Sequence, residues 1–330
     1  MVEPVERPMS REVFDRAAQL HQAGRLEEAE HLYRSLLTGK ARPVPVLVNL
    51  AALLAGRGDA SEGRRCLEEA AKLAPALHPV HGNLAELALA LGDAEAAELH
   101  WSRALALAPD HVSYRSRRGE ALCRLARYGE AIDCLRAALS ANPSDAKTLT
   151  NLGIALRRDG QTEEAIEVLE QAVDRAPDLA AAQNALGLAL YDAAAFAEAE
   201  CWFRAALTFS PEVSEIHGNL GNSLRAQGRF DEALAAYEAG LALAPASCEL
   251  RLNRGVVRLG LGDFAQGWAD YEARFEVAEP ASPRRAFGRP LWRGVPLGAG
   301  SLLLYGEQGP GDVVMFASCL PELLAHAGRV

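Results

Sequence analysis

Six prolines, Pro75, Pro109, Pro143, Pro177, Pro211 and Pro245, stand at one constant interval of 34 residues, with no insertion or deletion between them. So strict a period constrains the fold more than composition does. Every copy must adopt the same local structure, and one short copy cannot bury an apolar face alone. Starting each repeat 31 residues before its proline gives repeats at 44–77, 78–111, 112–145, 146–179, 180–213 and 214–247. A divergent copy precedes them at 10–43 and another follows at 248–276, which leaves an N-terminal extension at 1–9.

Aligned on this ruler, the repeats share columns with a physical sense. Column 8 holds Ala17, Ala51, Ala85, Gly119, Gly153, Gly187, Gly221 and Gly255, and column 20 is Ala or Gly throughout. Column 24 is large: Tyr33, Leu67, Trp101, Leu135, Leu169, Phe203, Tyr237 and Tyr271. Small residues on two helices let their backbones approach, and the large residue fills the space beside them. Gly24, Gly58, Gly92, Gly160, Gly228 and Gly262 stand where a left-handed residue ends a first helix at low cost. The prolines fall just past the second helix, where a missing donor does least harm. A 34-residue helix–turn–helix period resembles the tetratricopeptide (TPR) repeat. The resemblance implies an all-α, right-handed superhelical solenoid of about eight repeats. Column 27 is small in repeats two to seven but becomes Arg274 in the eighth, so the stack is expected to end there.

Charge narrows the partner. Residues 277–330 hold five Lys/Arg and four Asp/Glu, so 29 of the 34 basic and 40 of the 44 acidic residues lie in 1–276, a net −11. So acidic a surface repels phosphate backbones, which argues against nucleic acid and for basic or neutral polypeptide. The six cysteines form no Cys-x-x-Cys pair and read as buried free thiols of a reducing, cytoplasmic protein. The N-terminus lacks the apolar core of a signal peptide, and no apolar run reaches bilayer length. A soluble protein without a membrane partner is expected.

In a right-handed stack the first helix of each repeat lines the inner surface. Its column 6 carries Asn49, Asn83, Asn151, Asn219 and Asn253, interrupted by Arg117 and Ala185. A primary amide offers two donors and one acceptor, so a row of them can pair with the backbone of an extended peptide without demanding a sequence. The array resembles that of protein O-GlcNAc transferases, in which an asparagine ladder at this column grips the acceptor backbone. The resemblance fails at Arg117 and Ala185, and local helix packing is the alternative reading of the same asparagines.

Other candidates are weaker. His78 and His81 lie three apart near a helix start, but no third ligand is indicated, so neither metal nor cofactor is expected. Arg115, Arg117 and Arg118 read as a solvated face or a site for an acidic side chain. Glu27-Glu28, Glu68-Glu69 and Glu163-Glu164 read as solvated faces of second helices.

After Glu276 the texture changes. Residues 277–300, with Pro280, Pro283, Pro290 and Pro296, read as a linker. Ser301-Leu-Leu-Leu-Tyr305 suits a buried strand, Gly306 to Asp312 a tight loop, and Val313 to about Gly328 a helix, so 301–330 reads as one β–loop–α step of a doubly wound sheet. The loop lacks the Lys and Ser/Thr of a Walker A motif and does not fit Gly-x-Gly-x-x-Gly. The run Gly267-Trp268-Ala-Asp-Tyr271-Glu-Ala-Arg274-Phe275, then Pro290-Leu-Trp292-Arg-Gly294, then Glu307-Gln308-Gly-Pro-Gly311-Asp312, resembles the junction of bacterial TPR-glycosyltransferases. There an array leads into a heptosyltransferase-like GT-B region. Pro310 and Cys319-Leu320 depart from that pattern. The resemblance implies that Asp312 is the carboxylate that deprotonates the acceptor hydroxyl; read by itself, an Asp before an apolar helix is an N-cap.

Most of a GT-B enzyme, including its donor-sugar half, is absent from these residues. The expected function is therefore a peptide-binding solenoid, the acceptor-recognition arm of a glycosyltransferase-type protein, without catalysis by this chain. A nucleotide sugar enters only with the missing half. The alternatives are an independent scaffold for multiprotein assembly and a transferase completed by another chain.

Overall fold

The computed structural model describes residues 11–38 and 42–277. These contain sixteen α-helices and one 3-10 helix, with no strand among the described residues. None of those helices is long and apolar enough to cross a membrane. The expected linker at 277–300, strand, loop and helix of 301–330, and with them Asp312, lie outside the described residues apart from Val277.

The chain falls into two compact units, divided between Ser210 and Pro211. The first contains six helical pairs: α1 (Arg11–Gln22) with α2 (Leu26–Leu36), α3 (Val44–Gly56) with α4 (Ala60–Leu73), α5 (His78–Ala90) with α6 (Ala94–Leu107), α7 (Val112–Arg124) with α8 (Tyr128–Leu139), α9 (Ala146–Arg158) with α10 (Thr162–Arg175), and α11 (Ala180–Asp192) with α12 (Phe196–Phe209). The second contains α13 (Ser214–Ala226) with α14 (Phe230–Leu243), then α15 (Cys248–Gly260) with α16 (Phe264–Tyr271), followed by the 3-10 helix Glu272–Phe275. Each first helix in repeats two to eight starts at the repeat boundary read from the prolines, so the ruler marks the helix start to the residue in all seven.

Within a pair, column 8 meets column 24. A Cβ added at Gly153 would lie 2.3 Å from Leu169 Cγ, one at Gly119 2.5 Å from Leu135 Cγ, and one at Gly187 2.6 Å from Phe203 Cε1. In the second unit Gly221 stands in the same relation to Tyr237, at 2.5 Å. Leu135, Leu169, Phe203 and Tyr237 are each fully buried. Glycine is therefore required at these positions by volume, and the interlocked pairs tie each first helix to its second.

The turn between paired helices needs a left-handed residue. Gly160 supplies it with φ +85°, but repeats four and six place Ala126 (φ 55°) and Ala194 (φ 61°) there. An L-residue in that region costs about 1–2 kcal/mol, which the flanking helix pair must offset. The Arg127 N–H donating to Leu122 O at 3.0 Å and the Ala126 N–H donating to Cys123 O at 3.1 Å close the turn.

Two sequence expectations need correction. Cys66, Cys123, Cys134 and Cys248 are partly buried, and burial raises the Cys123 thiol to about 11, but Cys201 is exposed on α12. It occupies column 22, which faces solvent, as Leu99 in the same column does at 47% exposure. The acidic pairs are not merely solvated. Glu28 pairs with Arg25 at 2.6 Å, Glu69 with Arg42 at 2.7 Å, and Glu164 with Arg136 of the preceding repeat at 2.6 Å.

Candidate functional site

The first helices α7 and α9, with the start of α11, enclose a groove of about 570 Å³ in the first unit. Polar and charged residues line it, with Ser113, Ser116, Arg117 and Glu120 from α7, Lys147, Thr150 and Asn151 from α9 and Asp145 just before it, beside the apolar Val112, Ala138, Leu179 and Ala181. The apolar core falls on the opposite side of each helix, while Thr148 and Thr150 are buried beneath the groove. Tyr114, Ala121 and Leu122 of α7, and Leu149, Leu152 and Leu156 of α9, are core. That division follows from the 3.6-residue period, which sends columns 2, 6 and 13 to one face.

Hydrogen bonding organises the groove floor. Ser116 Oγ and Thr148 Oγ1 share a hydrogen bond of 2.6 Å, Thr148 donates to Asp145, and Thr150 Oγ1 donates to Ala146 O at 2.7 Å. Arg117 pairs with Glu86 at 3.1 Å and with Glu120 at 3.0 Å, and Arg124 also reaches Glu120 at 3.0 Å.

The column-6 asparagines have different surroundings. In the first unit, Asn49 Nδ2 donates to the buried Tyr33 hydroxyl at 3.4 Å, a long contact that ties it to packing. Asn83 is exposed and Asn151 is half-buried on the groove, and neither amide has a partner among the described residues. Ala185 is buried. In the second unit Asn219 is already engaged, and Asn253 is half-buried without a described partner. The structure thus brings Arg117 and Asn151 to one groove. Asn49 stands instead against Tyr33, Asn219 and Asn253 lie in the other unit, and Asp312 is outside the described residues.

The histidine pair is used otherwise. His78 Nδ1 meets the Tyr114 hydroxyl at 3.1 Å, while His81 Nε2–H donates to Pro75 O at 3.1 Å. His81 also stacks on His100 at 5.8 Å between ring centroids, and burial with Arg103 nearby lowers the His100 pKa. The arginine cluster separates in space. Arg115 donates to Pro109 O at 2.6 Å, whereas Arg118 pairs with Glu98 at 2.8 Å. Burial works to raise the Glu98 carboxyl, but hydrogen bonds from Arg118 and Ser102 hold it below its ordinary value.

One recurrent bond escaped the sequence reading. Column 4 turns back onto the proline carbonyl of the preceding repeat: His81 to Pro75 and Arg115 to Pro109, then Gln183 to Pro177 at 2.6 Å and, in the second unit, His217 to Pro211 at 2.9 Å. A carbonyl after a helix end lacks an intrahelical donor, and these side chains supply one. The signal was present as a long polar residue six positions after a proline. Lys147, Ser113, Ser116 and Thr150, which share the groove with Asn151, were also missed.

Models of the tetratricopeptide repeat match residues 44–69, 78–103, 113–178, 150–214 and 214–247. Among solved structures, the chain is similar to a tetratricopeptide repeat protein from Parabacteroides merdae, with 15% identity over 72% of this chain and 94% of that one, at a TM-score of 0.61. It is similar to PilW, described as a widely conserved type IV pilus biogenesis factor, with 22% identity over 63% of this chain and 96% of that one, at a TM-score of 0.57. It is also similar to a chain of the APC/C hetero-tetramer Cut9–Hcn1, with 16% identity over 73% of this chain and 48% of that one, at a TM-score of 0.62. None of the curated proteins matches. At these identities the likeness is one of fold. Where the repeat models match, they cover the register that the prolines and the small–large column pairing define, and the chain belongs to the tetratricopeptide repeat proteins.

Proposed function

We propose that the repeats hold an extended polypeptide against the column-6 side chains of their first helices, chiefly by its backbone. The observation that carries this reading is Asn151, whose amide faces a groove of about 570 Å³ with no described partner, while Asn83 presents a second such amide on α5. Each amide–backbone hydrogen bond is worth about 0.5–1.5 kcal/mol net, so several are needed to hold a chain. Asn49 contributes less, because Tyr33 already engages one of its two amide donors. The free thiols fit a reducing compartment, the cytoplasm.

The test uses peptides selected on the wild-type protein from a random library. Asn83→Ala with Asn151→Ala should weaken them about tenfold or more with helical circular dichroism unchanged. Lost helicity would return both residues to packing, and unchanged affinity in a folded variant would remove them from the interface.

The motifs from Gly267 to Asp312 favour a finer reading, in which the array is the acceptor-recognition arm of a glycosyltransferase-type protein. The matched repeat models lie within 44–247, upstream of those motifs, so this reading rests on the motifs alone. An independent scaffold for multiprotein assembly is its rival. Incubation with a labelled nucleotide sugar and a bound peptide separates chemistry from binding, since transfer without added protein would make the chain itself a transferase.

A further inference from the structure

Along α9, Lys147, Asn151 and Arg158 lie within an arc of about 40° on one face, with Lys147 about 6 Å from Asn151 in one direction and Arg158 about 10 Å in the other. Lys147 and Arg158 are both exposed, and neither has an ion pair or hydrogen-bond partner among the described residues. The neighbouring cations are engaged. Arg117 is held by Glu86 and Glu120, Arg124 by Glu120, and Arg157 by Asp192 at 2.8 Å. The carboxylates at the groove, Glu120 and Asp145, are taken up by those arginines and by Thr148. In a chain of net charge −10, α9 therefore carries two uncompensated positive charges on either side of an unpartnered amide.

We propose that this face of α9, which runs from the groove at Lys147 and Asn151 to Arg158 beyond it, selects a pair of adjacent acidic residues in the bound polypeptide. The inference rests on the reading that Asn151 holds the partner's backbone. Successive side chains of an extended chain point to opposite sides. A strand crossing α9 at Asn151 thus directs one side chain towards Lys147 and the next towards Arg158, across spans that Lys, Arg and Glu side chains cover. The acidity of the whole array points to basic or neutral partners, and α9 reverses that preference locally. Long-range repulsion combined with local attraction discriminates by position as well as by charge.

The test uses the full chain and two labelled peptides of alternating Ser and Thr, one with a central Glu-Glu and one with Gln-Gln. At low salt the Glu-Glu peptide should bind about tenfold more tightly, as expected for two solvent-exposed ion pairs. The advantage should shrink as added salt shortens the screening length to about 8 Å and below. Lys147→Gln with Arg158→Gln should abolish it while keeping the Gln-Gln affinity and the helical circular dichroism. Equal affinity of wild type for the two peptides overturns the inference, as does an advantage that survives the double variant. If Gln-Gln binds and Glu-Glu gains nothing, this inference falls alone; if neither peptide binds, the backbone-holding reading falls with it. Displacement of the Glu-Glu peptide by an oligonucleotide of equal charge, with the same dependence on Lys147 and Arg158, would overturn the assignment to polypeptide.

Discussion

In repeats four to six, a first-helix glycine admits a Leu or Phe of the second helix against its backbone, as Gly153 admits Leu169 and Gly187 admits Phe203. In repeat eight the corresponding Gly255 faces backbone instead. An added Cβ would lie 2.8 Å from Tyr271 N and 3.0 Å from Asp270 Cβ. Asp270, 7% exposed, receives Arg254 at 2.7 and 2.8 Å and Arg258 at 2.7 Å, so the residues on either side of Gly255 bind the second helix through charge. Just beyond, α16 ends after eight residues, the chain tightens into a 3-10 turn, and Arg274 lies over the Tyr271 and Phe275 rings at 4.7 and 4.0 Å. A glycine-and-apolar contact leaves each pair with a small-residue face that another pair can cover, which is how a repeat propagates. Arg274 at column 27 instead lies over aromatic rings of its own repeat, so the eighth repeat has no small residue at that column.

Three substitutions sharpen or break that contrast, and hydrogen exchange resolved by helix measures each, because stability in stacked repeats is local. The largest effect is expected for Asp270→Ala, which leaves the largely buried Arg254 guanidinium without its carboxylate and Arg258 with Glu238 alone. Protection across α15 and α16 should fall by about 3 kcal/mol. Retained protection there would show that apolar contact, not charge, closes the last repeat. Next comes Gly153→Val, which forces a side chain into the space of Leu169 and should cost α9 and α10 about 2 kcal/mol despite valine's better helix propensity than glycine. An unperturbed α9–α10 would mean that column 8 is small for reasons other than volume. The smallest effect has the opposite sign. Ala126→Gly relieves a left-handed alanine and should stabilise the α7–α8 pair by about 0.5–1 kcal/mol, with Ala194→Gly doing the same for α11–α12. Loss of protection in either would place the turn strain elsewhere.

Much of this architecture was legible in residue order. Pro75 to Pro245 set the register, and the pairing of Gly153 with Leu169 was readable from two columns, because steric fit between adjacent helices depends on residue size and spacing alone. The site was less legible. Asn49 and Asn151 occupy the same column, yet one amide meets Tyr33 and the other faces a groove. The difference lies in which residue the neighbouring repeat places opposite. Arg117 interrupts the asparagine column in sequence, but in space it joins Glu86 and Glu120, and its charge is largely spoken for.

The sequence by itself determined the period, the helix starts and the tetratricopeptide family, since all three follow from a local pattern repeated without error. Only the tertiary structure decided which polar groups remain available. Long side chains choose partners across repeats about 30 residues apart, as Arg117 chooses Glu86 and Arg157 chooses Asp192, and such choices are set by distances of a few ångströms that no column alignment contains. Lys147, Asn151 and Arg158 are three groups on one face of α9 that this accounting leaves without a partner among the described residues.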